Sequence, residues 1–340
     1  MAFLANSSIT VDTNRNFASH AVSLSPNSYF AVRSPPTVMG SILGYSSGGF
    51  SPSFYNQIER FQFAADSASG LCVGALSQSR GYASGQSSKL YGYTTGGLTS
   101  PTTIVNTVDK FPFVNPGTAT SVGCITIPAS YTTGHSACSF GYSTTGWSPT
   151  CTPSILTNIN KFPFAADTNA TNIGSITTKR YYAAGQSSFN CGYVSGGYTS
   201  PGVPGEYGGS IDSIEKFSFI TDNNGATAGS LTAAKYLVSG QSSLTHGYTS
   251  GGLIPGYTCV KEKFTFANET INANVGNLIR PHASGAGQSS LTHGYVSGGS
   301  GSSPVANDAC IEKFPFANES TCINVGALSV ARRGIAGQQY

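Results

Sequence analysis

Gly-Tyr recurs at positions 44–45, 92–93, 141–142, 192–193, 247–248 and 294–295, so that successive copies lie 47 to 55 residues apart. Self-similarity at that period restricts the chain to architectures made of one repeated supersecondary unit, because a single unit cannot bury its apolar face alone. Four blocks follow one another in fixed order. Gly-Tyr-x-x-Gly-Gly leads, as in Gly92 to Gly97, and the third unit departs from it with Gly146-Trp147. After a loop of variable length come an apolar residue, a polar residue and Lys/Arg-Phe-x-Phe, as in Ile58 to Phe63, Val108 to Phe113 and Ile311 to Phe316. A Val-Gly-x-Leu block follows, Val73 to Leu76 or Val325 to Leu328. The unit closes on a basic residue and Gly-Gln-Ser-Ser, as in Arg80 to Ser88, Arg180 to Ser188 and Lys235 to Ser243.

Each block is short, alternates apolar with polar and is bounded by Gly, Pro, Asn or Ser, which marks strands joined by turns. Four strands per fifty residues is the size of one propeller blade, a four-stranded antiparallel sheet that stacks on its neighbours. Side chains alternate along a strand, so both rings of Phe-x-Phe share a face, and that face is expected to form the blade-to-blade core. The chain therefore reads as one all-β propeller over residues 1–340. Its count hinges on the ends. The chain finishes on a further first strand, Arg332 to Tyr340, while Ile9 to Asp12 and Ala21 to Ser25 echo outer-strand blocks. Seven blades are expected on this ground, with residues 1–29 completing the last and the C-terminal strand closing it; six blades is the alternative.

Composition agrees with a folded and nearly uncharged surface. Charged residues are 9% of the chain, against roughly 25% in an average soluble domain. Disorder at such low charge would also require few aromatics, but 19 Phe and 18 Tyr are spread evenly and supply apolar area against the ordering entropy. Net charge is +3 with no basic run, so the footprint of a nucleic-acid binder is missing. No apolar stretch is long enough to span a bilayer, and the first residues lack a basic and apolar leader. Eight cysteines show no CxxC spacing and are expected to be free, mostly buried thiols.

The order of blocks resembles the kelch repeat. A unit written from its basic residue runs Arg180 to Gln186, then Gly192 to Gly197, then Ile214 to Phe217, just as a kelch unit passes from an Arg-led innermost strand to a strand ending in Gly-Gly and then to one with an aromatic after Glu. The fourth strand departs, since Val-Gly-x-Leu stands where kelch units carry Trp. The wording Glu-Lys-Phe-x-Phe-Ala, Gly-Gln-Ser-Ser and His-Gly-Tyr-x-Ser-Gly-Gly also resembles kelch-like proteins of environmental, especially marine, bacteriophages. That resemblance covers roughly residues 30 to 340 and implies a virion protein, a tail or capsid appendage, with a cellular and cytoplasmic adaptor or a carbohydrate-active enzyme as the alternatives.

Little in the chain suggests chemistry of its own. The histidines form no ligand cluster, the acids Glu59, Asp109, Glu215, Glu262 and Glu312 recur at one repeat phase, and ion pairs of small worth at a surface or between strands are expected of them. No nucleophile elbow or phosphate loop is present. The expectation is a non-enzymatic protein without cofactor or metal, whose partners are other virion proteins or a host-surface glycan or protein. Binding residues belong in the loops that vary while strands repeat. The loop Tyr198 to Tyr207 is the longest and Trp147 is the only tryptophan. Trp147, Tyr198, Tyr207 and Tyr257, set beside Arg80, Arg180, Arg280 and Arg332, are therefore the candidate binding residues.

Overall fold

A computed structural model describes residues 42–65, 68–199, 209–269, 271–301, 307–319 and 322–340. All regular structure among them is β. Six four-stranded antiparallel blades surround an axis, each built from the four blocks in the expected order. Their innermost strands are Ala336–Gln339, Ser84–Ser87, Thr133–Ser136, Ala184–Ser187, Ser239–Ser242 and Ala286–Ser289, numbered here blades 1 to 6. In blade 2, for example, the order outward is Ser84–Ser87, Tyr91–Thr95, Thr107–Pro112 and Thr120–Cys124.

The expected seven blades are corrected to six. The terminal strand finds its partner in the first unit, with Gln339 opposite Gly44 and Ala336 opposite Ser47, and among the described residues that unit starts at its second strand. The echoes of outer-strand blocks in residues 1–29 lie outside the described residues. Neighbouring innermost strands touch in one unbroken cycle of six, and their glycines show how tightly. A Cβ on Gly85 would overlap the Gly337 carbonyl oxygen, one on Gly134 that of Gly85, and so on through Gly185, Gly240 and Gly287 back to Gly337. Six strands approach the axis so closely that only glycine fits at this position.

Between blades, each Gly-Tyr tyrosine lies on the second Phe of the next blade's Phe-x-Phe, at ring-centroid distances of 4.5 to 5.0 Å. The hydroxyl of Tyr45 also donates to the Phe113 carbonyl at 2.8 Å, and that of Tyr295 to Phe63 at 2.9 Å. This is the blade-to-blade core the alternation implied. Gln338, Gln86, Gln186, Gln241 and Gln288 each send an amide N–H to the backbone carbonyl of the next blade's Gly-Tyr tyrosine. His135 replaces that glutamine in blade 3 and bonds the Gln186 carbonyl instead, at 3.1 Å.

The Val-Gly block accounts for its own composition. In each blade the ladder between third and outer strands slips beside the repeat-phased acid or, in blade 3, Asn160. Such a bulge adds one residue to a strand and re-aims the side chains near it.

Candidate functional site

The repeat-phased acids point inward. Arg80 meets Asp109 at 3.0 Å, Arg180 meets Glu215 at 2.5 Å, Lys235 meets Glu262 at 3.2 Å, and Arg332 pairs with Glu59; all eight side chains are buried. Each acid also receives the backbone N–H that follows the preceding blade's outer strand, from Ser77, Thr177, Thr232 or Ser329. The cluster thus ties the crossover between blades to the next third strand. Burial alone would raise the Glu215 carboxyl, but donation by Thr177 and Thr178 and the charge of Arg180 hold it below the usual carboxylate range.

Three expectations are corrected here. These pairs are buried rather than superficial, and removing one partner would leave a buried charge uncompensated. Arg80, Arg180 and Arg332 are fully buried scaffold and offer nothing to a ligand. Arg280 is a different case, 40% exposed and beside Asp308, with His282 standing at the phase of the other cations. The thiols are free as expected, but not mostly buried: among them only Cys322 is buried, while Cys72 and Cys138 are exposed. Among the described residues no three His, Cys, Asp or Glu converge on a metal position.

The aromatic surface lies at one mouth of the axis. Two residues after each cation position the chain enters the innermost strand through Tyr82, Tyr131, Tyr182, Leu237, Ser284 and Gly334, all with φ between 57° and 61°. Their backbones form a ring: Tyr131 N–H donates to the Tyr82 carbonyl, Tyr182 to Tyr131, Leu237 to Tyr182, Ser284 to Leu237, Gly334 to Ser284 and Tyr82 to Gly334. Left-handed backbone is costly for a bulky side chain. Five non-glycine residues hold it here because the hydrogen-bonded ring fixes them together.

Tyrosine rings run from this mouth outward without a break. Tyr82 and Tyr131 are 4.8 Å apart, Tyr131 and Tyr182 4.3 Å, Tyr182 and Tyr181 4.6 Å, Tyr181 and Tyr198 5.8 Å, and Tyr198 and Tyr236 5.0 Å. At the other end Phe50 lies 6.4 Å from Tyr82, and Arg333 both caps the Phe50 ring and donates to the Tyr82 hydroxyl at 3.0 Å. All these rings are half-buried. The arc is one-sided, for Leu237, Ser284 and Gly334 occupy the remaining mouth positions. The Tyr82 ring lies over Gly334 so closely that a Cβ there would strike it.

Of the candidates read from sequence, Tyr198 belongs to this arc. Trp147 shares its face through a backbone bridge to Ser130, the counterpart of the Tyr181–Tyr198 bridge. Tyr257 reaches Ser300 Oγ at 3.4 Å and makes no ring contact with the arc. Tyr207 lies outside the described residues. Tyr82, Tyr131, Tyr181, Tyr182 and Tyr236 were missed, although the sequence held a signal: they sit one or two places after the cation position, where the backbone must turn and no blade core requires a large ring.

The axis itself offers little room. The cavity there is about 60 Å³ and is lined by the innermost strands, space for a few waters rather than a sugar or cofactor. Neither a scan against protein-family models nor a search of curated proteins finds a match to this chain.

Proposed function

We propose that the protein is a non-enzymatic adhesion or structural component of a virus particle, a phage tail or capsid appendage, and that it holds a neighbouring virion protein or a host-surface receptor or glycan through its aromatic face. The observation that carries this reading is the unbroken arc of half-buried tyrosines set on a strained, mutually bonded ring of turns. Tyrosine gives large contact area for little side-chain entropy, and Ser, Gly and Asn around it give adaptable hydrogen bonds, the composition used by binding loops of antibodies. A rigid support limits the ordering cost of association. The virion setting rests on the resemblance of the repeat wording to kelch-like phage proteins, and kelch kinship is part of the same proposal.

The test is a triple variant, Tyr131→Ala, Tyr181→Ala and Tyr198→Ala, assayed for retention on purified particles and for adsorption to host cells with and without periodate treatment of their glycans. Loss of retention or adsorption with cooperative melting preserved is the expected result, and sensitivity to periodate assigns the glycan. Undiminished attachment to both would place the binding surface elsewhere.

A further inference from the structure

Blade 6 breaks the pattern of buried pairs in a way no other blade does. Blade 3 gives up both partners, with Ala129 at the cation position and Asn160 at the acid's. Blade 6 keeps the acid, Glu312, and gives up the rest: His282 stands at the cation position, and Ile279 stands where the other crossovers place Ser or Thr. Glu312 is 2% exposed. Its Oε2 accepts the Ile279 N–H at 2.8 Å, while Oε1 has no partner, and neither has His282 Nδ1.

A cation waits nearby, two residues out of phase. Arg280 places Nε 3.3 Å from Asp308 Oδ2 and its Nη2 against Cys310 Sγ. Cys310 and Glu312 alternate along the strand Asp308–Pro315, so their side chains share one face about 7 Å apart; Asp308 lies beyond a register slip against the neighbouring strand, and it is the Arg280 contact to both that brings Asp308 and Cys310 together. Blade 4 shows where such a cation can go. There Arg180 donates to Ser213 Oγ, the counterpart of Cys310, and continues to Glu215, the counterpart of Glu312. Arg280 bridges Asp308 to the Cys310 rung of the same ladder and stops one rung short of Glu312.

We propose that blade 6 holds a proton-operated latch: Glu312 stands as the neutral acid while Arg280 rests on Asp308 and Cys310, and loss of the Glu312 proton to solvent draws the Arg280 guanidinium one rung inward. Burial is what keeps the acid neutral, and it pushes the carboxyl up to about 7 against the Ile279 amide and the charges of Arg280 and Lys261, with Asp308 adding to the rise. The groups around it come from every packed element: Arg280 and His282 from the crossover, Asp308 and Cys310 from its own strand, Lys261 from blade 5, and Cys322 from just before the outer strand. His282 is pushed down to about 4 by burial and stays uncharged through the transition. Lys261 lies over the Phe314 ring, 4.2 Å from its centroid. The crossover leads directly into Ser284 of the mouth ring, so the latch sits under the side of the mouth that the aromatic arc leaves open.

Infrared titration of the full chain tests this. A protonated-carboxyl band that disappears with a midpoint near pH 7, and that is missing in Glu312→Gln, is expected. Amide exchange over residues 279–284 should shift across the same range in the unmodified chain and stay flat in that variant. Arg280→Ala changes a half-exposed side chain, and should raise the midpoint because the ionised form loses its cation. A chain with no such band at pH 5 to 6 overturns the proposal, as does an exchange shift that persists in Glu312→Gln or a midpoint unmoved in Arg280→Ala.

Discussion

Arg180 and Glu215 illustrate what one buried charge does in this ring. Both are shielded from water, and the guanidinium also donates to the Gly196 and Ser213 carbonyls at 2.9 and 2.8 Å. Arg180→Met leaves the carboxylate buried without its cation and should lower the unfolding free energy by about 3–5 kcal/mol, measured by urea denaturation. Arg180→Met with Glu215→Gln should recover much of the loss, since blade 3 already runs on the uncharged combination of Ala129 and Asn160; a double variant as weak as the single one would contradict the pairing account. Residue phase was legible in the sequence and residue depth was not. Spacing put Glu215 and Arg180 at places matched by an acid and a cation in three other units, but nothing in a spacing distinguishes a surface pair from one enclosed by a bulged strand. His135 carries a second test at this scale. Its Nδ1–H donates to the Gln186 carbonyl, which leaves Nε2 to accept from Thr144 Oγ1 at 3.0 Å, so the ring is held neutral, and burial pushes it down to about 4. Between pH 6.5 and 4 the unfolded chain binds a proton that the folded one refuses, so this residue's contribution, complete above 6.5, is lost as pH falls, by about 1.4 kcal/mol per unit. His135→Gln restores the residue of the other five blades and should remove that part of the acid slope in stability measured from pH 7 to 4.5.

Among the elements, the innermost strands set the number of blades. Their Gly-Gln-Ser pattern was visible, and the strand type followed from it; the reason for the glycine was not visible, because it lies in a contact between repeats rather than within one. Gly240→Ala would drive a methyl into the Gly185 backbone and should cost about 1–3 kcal/mol through forced backbone displacement. Gly117→Ala is the matched control, for a Cβ there meets nothing within 4 Å and should stay within about 0.5 kcal/mol of the parent. Equal effects from the two substitutions, read as shifts in urea midpoint, would mean the axis has room to spare. The tyrosine turns follow the same logic in reverse. Tyr82, Tyr131 and Tyr182 look like ordinary members of a repeat, and only the ring of hydrogen bonds they share reveals that they are held at the mouth.

For the molecule as a whole, a ring has no first strand, and that is why the end of the chain misleads. Arg332 to Tyr340 reads as the surplus start of another unit only if the first unit is taken to be complete. Gly44–Ser47 instead lies between Gln57–Gln62 and Ala336–Gln339, so the two ends of the described chain share one blade. The terminal strand also fixes its neighbour: Gln338 donates to the Tyr93 carbonyl of blade 2 at 3.0 Å, and the Gln339 N–H reaches Ser87 Oγ at 3.0 Å. Deleting residues 332–340 removes these bonds together with the Arg332 partner of Glu59 and the Tyr340 ring that packs 5.3 Å from Phe113. The edge of Gly44–Ser47 is then bared and the flank of blade 2 loses its cover, and exposed edges recruit other chains. The shortened protein should lose its cooperative melting transition and elute as oligomers in size-exclusion chromatography. A peptide spanning 332–340, which carries both Arg332 for Glu59 and the missing strand, should return it to the monomer. A truncated chain that stays monomeric with unchanged melting would show that the ring is held without its terminal strand.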